Sequence, residues 1–339
     1  MEQPPGPAAQ LRAAGVPVLV GRTEEQAFLR EELTLALGGH GRLVLLGGEA
    51  GIGKTTLARA LAGVADERGA CVLAGHCYDL TNTPPYGPWL DLVAGYRPTG
   101  DLPIPPPALA GGRLEGVSSQ AALFAEVRRF VEELVSGRSV LLVLEDLHWA
   151  DPASLELLRH IAPFVRSWPL LLLATYRVDE LTRRHPFYQQ LPALVRESEG
   201  LRLDLRRLDA GALRALVALR FTLPPADGER LVDYLERHAE GNPFFASELL
   251  RALQEERLLS PGDDGWRLAA LDRVVMPALL SQVIDARVAR LGEETRKPLA
   301  VAAVIGQEVP LDLWAAVAGL DDEALLTIVE HAVEAHVLE

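Results

Sequence analysis

The chain has 339 residues, enough for two or three domains with cores of their own. Its net charge of −14 argues against non-specific binding to nucleic acid or anionic membranes. The longest apolar runs, Val140–Leu144 and Pro169–Ala174, are strand-sized and too short to span a bilayer. Residues 1–15 lack the pattern of a signal peptide, so we expect a cytoplasmic protein without membrane contact.

The first predicted elements follow a leader at residues 1–17 that is rich in Pro, Ala and Gly. Apolar strands then alternate with helices as far as residue 206. The predicted strands are Leu43–Leu46, Cys71–Ala74, Val140–Glu145, Leu170–Thr175 and Leu201–Leu205, and helices are predicted at about Lys54–Ala65 and Gln120–Val135. Strands without polar alternation, separated by helices, predict an α/β fold with a parallel sheet covered on both faces.

One segment inside this region has a different composition. Thr83–Gly116 is dense in Pro and Gly, which predicts a long surface excursion. A lid or a docking loop is the alternative, since long loops in compact domains are often functional.

The pattern becomes helical after Leu208. Predicted helices run from an Asp209 cap to about Phe221, then over Asp227–His238 and Phe244–Glu256. A hairpin is predicted around Asp264-Gly265, and four helical stretches follow from Pro277, with breaks at Gly292, Gly306 and Gly319. We therefore expect a helical domain over 207–258 and a last domain over 259–339.

The segment Gly48–Thr55 fits G-x-x-x-x-G-K-[ST], with an apolar strand before it and a helix after it. Lys54 is expected to neutralise the β- and γ-phosphates, Thr55 to ligate Mg²⁺, and Thr56 to contact the α-phosphate. The backbone that would cradle the phosphates belongs to Gly48, Ala50, Gly51, Ile52 and Gly53. This pattern predicts a domain over 18–206 that binds ATP or ADP with Mg²⁺.

Two acids follow the predicted strand Val140–Glu145. An acid at a strand tip can hold Mg²⁺, so Glu145 is the candidate metal ligand and Asp146 the candidate that polarises water. The order Glu–Asp leaves the division of labour between the two open. Asp151-Pro152 is typical of a helix start. His148 and Trp149 either sense the γ-phosphate or pack the strand end, and packing is favoured.

Arg177 ends the predicted strand at Leu170–Thr175. Ligands lie beyond the carboxyl ends of parallel strands, so this arginine is a candidate contact for the γ-phosphate, with a plain surface arginine as the alternative. The cysteines, Cys71 and Cys77, have His76 between them. These three residues do not complete a zinc ligand set, so reduced thiols are expected.

Taken together, four motifs resemble the STAND class of P-loop ATPases, and more closely the ATPase region of large LuxR-type bacterial transcriptional regulators. The motifs are Leu19–Glu25, the extended Walker B at Leu144–Asp151, Ala174–Arg177 and Glu240–Phe245. The resemblance implies an ASCE-type five-stranded parallel sheet of order 5-1-4-3-2, followed by a helical domain and a winged-helix-like domain.

The resemblance also implies roles for individual residues. Val20, Gly21 and Arg22 would line the adenine and ribose pocket, and Arg177 would report the γ-phosphate. Pro243 would contact the base from the helical domain. A plain loop at Gly21-Arg22 and a plain helix-breaking turn before Pro243 are the structural alternatives.

The predicted winged-helix segment is acidic rather than basic. Residues 276–339 hold four basic and eleven acidic side chains, whereas a DNA-reading surface needs a basic stripe. We therefore expect protein contacts or self-assembly here, and DNA binding only through a C-terminal module absent from this chain.

The leading hypothesis is a weakly hydrolysing, ATP/ADP-operated switch in a transcriptional regulator. The first alternative is a turnover or remodelling ATPase that needs an arginine finger from a partner, for which Arg183, Arg184, Arg206 and Arg207 are candidates. The second alternative is a nucleotide-binding scaffold without hydrolysis.

Overall fold

The computed structural model describes residues 19–78, 84–98, 102–110, 119–262, 265–271, 285, 288, 291–306, 308–334 and 337–338. The chain divides into two compact units, Met1–Arg207 and Leu208–Glu339.

The N-terminal unit is built on a five-stranded sheet in which every pair of neighbours is parallel. The strands are β1 (Arg42–Gly48), β2 (Cys71–His76), β3 (Val140–Glu145), β4 (Leu170–Arg177) and β5 (Leu201–Asp204). Their spatial order is β2-β3-β4-β1-β5, which confirms the predicted order 5-1-4-3-2. The register sets Gly48 beside Arg177 and His76 beside Glu145, so these four residues lie at the carboxyl end of the sheet.

Both faces of the sheet are covered, which is why its strands are continuously apolar. Leu43 and Leu45 enter one core cluster, and the intervening Val44 and Leu46 enter the other, as the two-residue period of a strand requires. Two helices cover the second face, α1 (Thr23–Leu37) and α2 (Lys54–Glu67). The first face is covered by α3 (Gly87–Gly95), α4 (Pro107–Ala110), α5 (Gln120–Gly137), α6 (Pro152–Ile161) and α7 (Pro186–Ser198).

The prediction of a surface excursion over residues 83–116 is wrong for its described parts. Pro88 lies in the first turn of α3, where a proline ring is accommodated without loss of a hydrogen bond. Trp89 is only 2% exposed, and its indole N–H donates to the Ser154 carbonyl at 3.2 Å. The segment therefore supplies core residues. Residues 99–101 and 111–118 lie outside the described part of the chain.

Helices open the C-terminal unit, as predicted. They are α8 (Ala210–Arg220), α9 (Pro225–Ala239) and α10 (Pro243–Glu255). Asp209 caps α8 by accepting from the Ala212 N–H at 2.7 Å, and Asn242 caps α10 by accepting from the N–H of Phe244 at 3.1 Å. The predicted hairpin is present as β6 (Leu259–Gly262) paired antiparallel with β7 (Gly265–Leu268).

The last part of this unit consists of α11 (Glu293–Ile305), α12 (Leu311–Ala318) and α13 (Asp322–Glu334). Gly292, Gly306 and Gly319 flank these helices, which confirms the predicted breaks. A small core joins them around Trp314, which is 1% exposed and donates to the Pro298 carbonyl. The predicted stretch from Pro277 lies largely outside the described residues. Among the helices that are described, none has the length and apolarity needed to cross a membrane.

Candidate nucleotide-binding site

The loop between β1 and α2 has the backbone geometry of a phosphate cradle. Gly51 and Gly53 have φ values of +77° and +107°, which side chains rarely tolerate. This geometry turns the chain sharply into α2, whose first residue is Lys54. The N–H groups in the first turn of a helix have no acceptor within the helix, and the helix dipole makes this end positive. The loop therefore presents donors and positive potential where an anion would sit.

Lys54 lies inside this loop rather than in solvent. Its ammonium donates to the carbonyl oxygens of Gly48 at 2.7 Å and Glu49 at 2.8 Å. Burial lowers the pKa of Lys54 to about 8, and the nearby carboxylates of Asp146 and Asp179 oppose this shift. The only other lysine of the chain, Lys297, is exposed.

Glu145 at the end of β3 and Thr55 in the first turn of α2 are hydrogen-bonded, although they lie 90 residues apart in the chain. The Thr55 hydroxyl donates to Glu145 Oε2 at 2.7 Å. Glu145 is 2% exposed, and burial raises the pKa of its carboxyl group, opposed by the Thr55 hydrogen bond. Its other oxygen, Oε1, is buried without a hydrogen bond and lies 3.7 Å from His76 Nε2.

These donors fit Mg²⁺. The ion prefers oxygen ligands and in nucleotide sites uses one or two protein oxygens together with phosphate and water. A hydroxyl and a carboxylate 2.7 Å apart, with one further carboxylate oxygen lacking a hydrogen bond, match that chemistry. Among the described residues there is no group of three or more His, Cys, Asp or Glu side chains suited to an all-protein metal site.

Asp146 follows Glu145 in an unusual backbone conformation. Its φ is +60°, in the left-handed region, and its N–H donates to the Thr175 hydroxyl at 3.0 Å. Burial raises the pKa of the Asp146 carboxyl group, and the positive charges of Arg177 and Lys54 oppose the shift. Of the two neighbouring acids, Glu145 accepts the hydrogen bond from Thr55, whereas the backbone of Asp146 is bound to Thr175. Their roles as metal ligand and water-polarising acid stay predictions.

Arg177 stands at the carboxyl end of β4, as the sequence predicts. Its guanidinium lies 4.6 Å from the ring centre of Trp149 and donates to Glu180 Oε1 at 2.6 Å. The backbone N–H of Arg177 donates to His148 Nδ1 at 3.3 Å. His148 is the packed residue favoured from the sequence: its side chain is fully buried, and burial lowers its pKa to about 3.

The residues expected to line the adenine pocket lie at the start of α1. Gly21 has a φ of +66°, and Val20 is half-buried. Arg22 is 4% exposed and donates to the Ile52 carbonyl at 3.1 Å and to Glu25 at 2.9 Å. Arg22 therefore braces the phosphate loop from the side. A contact between these residues and a base stays a prediction.

The remaining predicted residues are placed as follows. Ala50 and Thr56 are half-buried on the loop and in the first turn of α2. Pro243 opens α10 in the C-terminal unit, directly after the capping residue Asn242. Its expected contact with the base stays a prediction.

Comparison with known proteins identifies the N-terminal fold. Residues 18–173 match the family described as the AAA ATPase domain. This segment is therefore similar to AAA-type ATPase domains. Residues 226–267 match a domain of unknown function.

Three solved structures similar to the chain are ORC1 of Aeropyrum pernix in complex with DNA, AMPPCP-bound DnaA of Aquifex aeolicus and RuvB of Thermotoga maritima. ORC1 has 19% identity and a TM-score of 0.51, covering 97% of this chain and 87% of its own. DnaA has 13% identity and a TM-score of 0.46, covering 94% of this chain and 89% of its own. RuvB has 18% identity and a TM-score of 0.43, covering 93% of this chain and 88% of its own.

A curated relative is a protein of Rhizobium meliloti (strain 1021) described as uncharacterized. It is 26% identical over 330 residues, covering 87% of this chain. The chain spans about 30% of the length of that relative.

Two contacts of the N-terminal unit are not predicted from the sequence. The sequence suggests His76 only as part of an incomplete zinc ligand set, whereas its Nδ1 lies 3.1 Å from Asp91 Oδ2 and its Nε2 lies 3.7 Å from Glu145 Oε1. The sequence does place His76 at the end of β2, next to the end of β3 where Glu145 lies. The contact with Asp91 is not predicted, because Asp91 lies in the segment expected to be a surface loop. Arg207, one of the candidate fingers for a partner subunit, pairs within its own chain with Glu49 of the phosphate loop, with 3.1 Å between Arg207 Nε and Glu49 Oε1.

Proposed function

We propose that this chain is an ATP/ADP-operated switch that binds Mg²⁺ with the nucleotide and hydrolyses ATP slowly. The observation that carries the proposal is the 2.7 Å hydrogen bond between Thr55 and Glu145 beside the buried ammonium of Lys54. These side chains combine a phosphate-neutralising cation with oxygen ligands at one edge of the sheet. The AAA-type fold supports the same reading.

Within the proposed site each residue has a separate task. Lys54 would exchange its two carbonyl acceptors for phosphate oxygens, since an ammonium gains more from anions than from neutral carbonyls. Thr55 and Glu145 would hold Mg²⁺, which supplies charge neutralisation for the transferred phosphoryl group. Asp146 would accept a proton from water, or orient it. Arg177 would distinguish ATP from ADP.

The regulatory part of the proposal rests on the resemblance to LuxR-type regulators. In this proposal the nucleotide state changes the arrangement of the helical and winged-helix-like domains, and so assembly with protein partners. The acidic composition of residues 276–339 supports protein contacts rather than DNA contacts for this part. The relative is much longer than the chain, so the transcriptional role is proposed for the whole protein of which such a module would be part.

Calorimetric titration with ATP and ADP in the presence of Mg²⁺ tests the phosphate site. We expect Lys54→Ala to weaken both nucleotides at least tenfold, since a charge-assisted contact is lost from a buried site. Lys297→Ala is the matched control, because it removes the other lysine from an exposed position. Equal affinities of wild type and Lys54→Ala would contradict the assignment.

Small-angle scattering tests the switch itself. A switch requires a nucleotide that binds two arrangements with different affinities, so ATP and ADP should give different scattering curves. Superimposable curves at saturation would contradict it. Fast hydrolysis that a partner protein stimulates would favour a turnover ATPase instead.

A further inference from the structure

The candidate γ-phosphate contact, Arg177, already has an anionic partner in its own chain. Its Nη1 donates to Glu180 Oε1 at 2.6 Å, and the two side chains are only 24% and 14% exposed. An ion pair this short and partly shielded from water is stronger than a fully exposed surface pair. The face of Trp149 holds the guanidinium plane from another side.

The second oxygen of the Glu180 carboxylate lies near the buried ring of His148. The Arg177 N–H donates to His148 Nδ1, which makes Nδ1 an acceptor and assigns the ring proton to Nε2. Nε2 lies 3.6 Å from Glu180 Oε2, a contact that is electrostatic because it is longer than a hydrogen bond. The backbone carbonyl of His148 accepts a hydrogen bond from His185 Nε2 at 2.8 Å, which fixes the backbone of His148. Glu180 therefore has one carboxylate oxygen paired with Arg177 and the other near His148.

The same pair lies within electrostatic reach of the phosphate site. The positive charge of Arg177 lowers the pKa of both Lys54 and Asp146, and the negative charge of Glu180 raises both. A γ-phosphate near Lys54 would thus compete with the Glu180 carboxylate for the guanidinium of Arg177. It would also be repelled by that carboxylate. ADP has no group at that position and leaves the pair intact.

We propose that Glu180 is a specificity-determining residue that lowers the preference of this site for ATP over ADP by holding Arg177 as its counter-ion. This inference rests on the proposed nucleotide site and names how its ATP/ADP balance is set. ATP must replace an existing ion pair, whereas ADP does not. The chain therefore sets its balance between the two nucleotides with one carboxylate outside the phosphate loop.

The test compares affinities for ADP and for a non-hydrolysable ATP analogue, both with Mg²⁺, by calorimetry. For Glu180→Gln we expect an increase of about two- to tenfold in the ratio of ATP-analogue to ADP affinity, the range of a partly buried ion pair. ADP affinity itself should stay close to that of wild type. Glu229→Gln is the matched control, because it removes the same charge from the exposed pair with Arg214 in the C-terminal unit.

An Arg177→Ala background separates competition from simple repulsion. If Glu180 acts by occupying Arg177, Glu180→Gln should change the ratio less in this background than in wild type, whereas an undiminished effect would overturn the proposal. An unchanged ratio in Glu180→Gln alone would also overturn it. If that variant loses ADP binding through misfolding, Glu180→Asp decides, since it keeps the charge but withdraws it from Arg177 and should raise the ratio. Failure of wild type to bind either nucleotide would reject the proposed site rather than the role of Glu180.

Discussion

The buried His148 should make the N-terminal unit sensitive to mild acid. Its folded-state pKa is about 3, because burial penalises the imidazolium, whereas an unfolded histidine titrates near 6.5. Below pH 6.5 the unfolded chain takes up a proton that the folded chain refuses, so the free energy of unfolding falls as pH falls. The loss is about 1.4 kcal/mol per pH unit, which gives about 2 kcal/mol between pH 7 and pH 5.

Urea unfolding followed by tryptophan fluorescence measures this loss. Wild type and His148→Asn are compared at pH 7 and pH 5. Asparagine has no proton to gain, and its side-chain oxygen is a replacement acceptor for the Arg177 N–H. The variant should be less stable at pH 7, but it should lose about 2 kcal/mol less than wild type on acidification. His40→Asn, at an exposed position, is the matched control.

An equal loss in wild type and His148→Asn would contradict this reasoning. It would mean that the folded protein protonates His148 above pH 5. The carboxylate of Glu180, 3.6 Å from Nε2, would then stabilise the imidazolium enough to offset burial.

Two further substitutions test contacts around the site. Arg22→Ala removes the donor to the buried Ile52 carbonyl, so the loop should lose order and both ATP and ADP should bind roughly tenfold more weakly by calorimetry; unchanged affinities would show that the brace is dispensable. Gly75→Ala would set a Cβ into the Pro88 carbonyl oxygen, which should lower the free energy of unfolding, measured with urea, by about 1–3 kcal/mol. Gly137→Ala, where a Cβ meets nothing within 4 Å, should be nearly neutral, and equal effects of the two changes would contradict the close approach of α3 to β2.

The features that sequence predicted well are those encoded within a few residues. The strand Val140–Glu145 has the predicted bounds because its short, continuously apolar run fits a strand buried on both faces of a parallel sheet. The phosphate loop is recognisable from its glycine spacing, and the cap at Asp151 from the proline that follows it. The strand order came from the resemblance, since local patterns do not specify which strands are neighbours.

The features that sequence missed depend on partners far apart in the chain. The burial of Trp89 depends on a carbonyl acceptor 65 residues later, and proline content suggested a loop instead. The pairing of Arg207 with Glu49 joins residues 158 positions apart. Charged surface residues have many alternative partners of similar free energy, so their choice is decided only when the fold brings them together.

The left-handed backbone at Asp146 has a consequence for protein engineering. A non-glycine residue held in this conformation costs on the order of 1 kcal/mol, and glycine would adopt it without that strain. A library screened only for heat resistance should therefore enrich glycine at this position. Thermostabilised descendants would lose one of the two neighbouring acids, so such a screen needs a nucleotide-turnover filter alongside it.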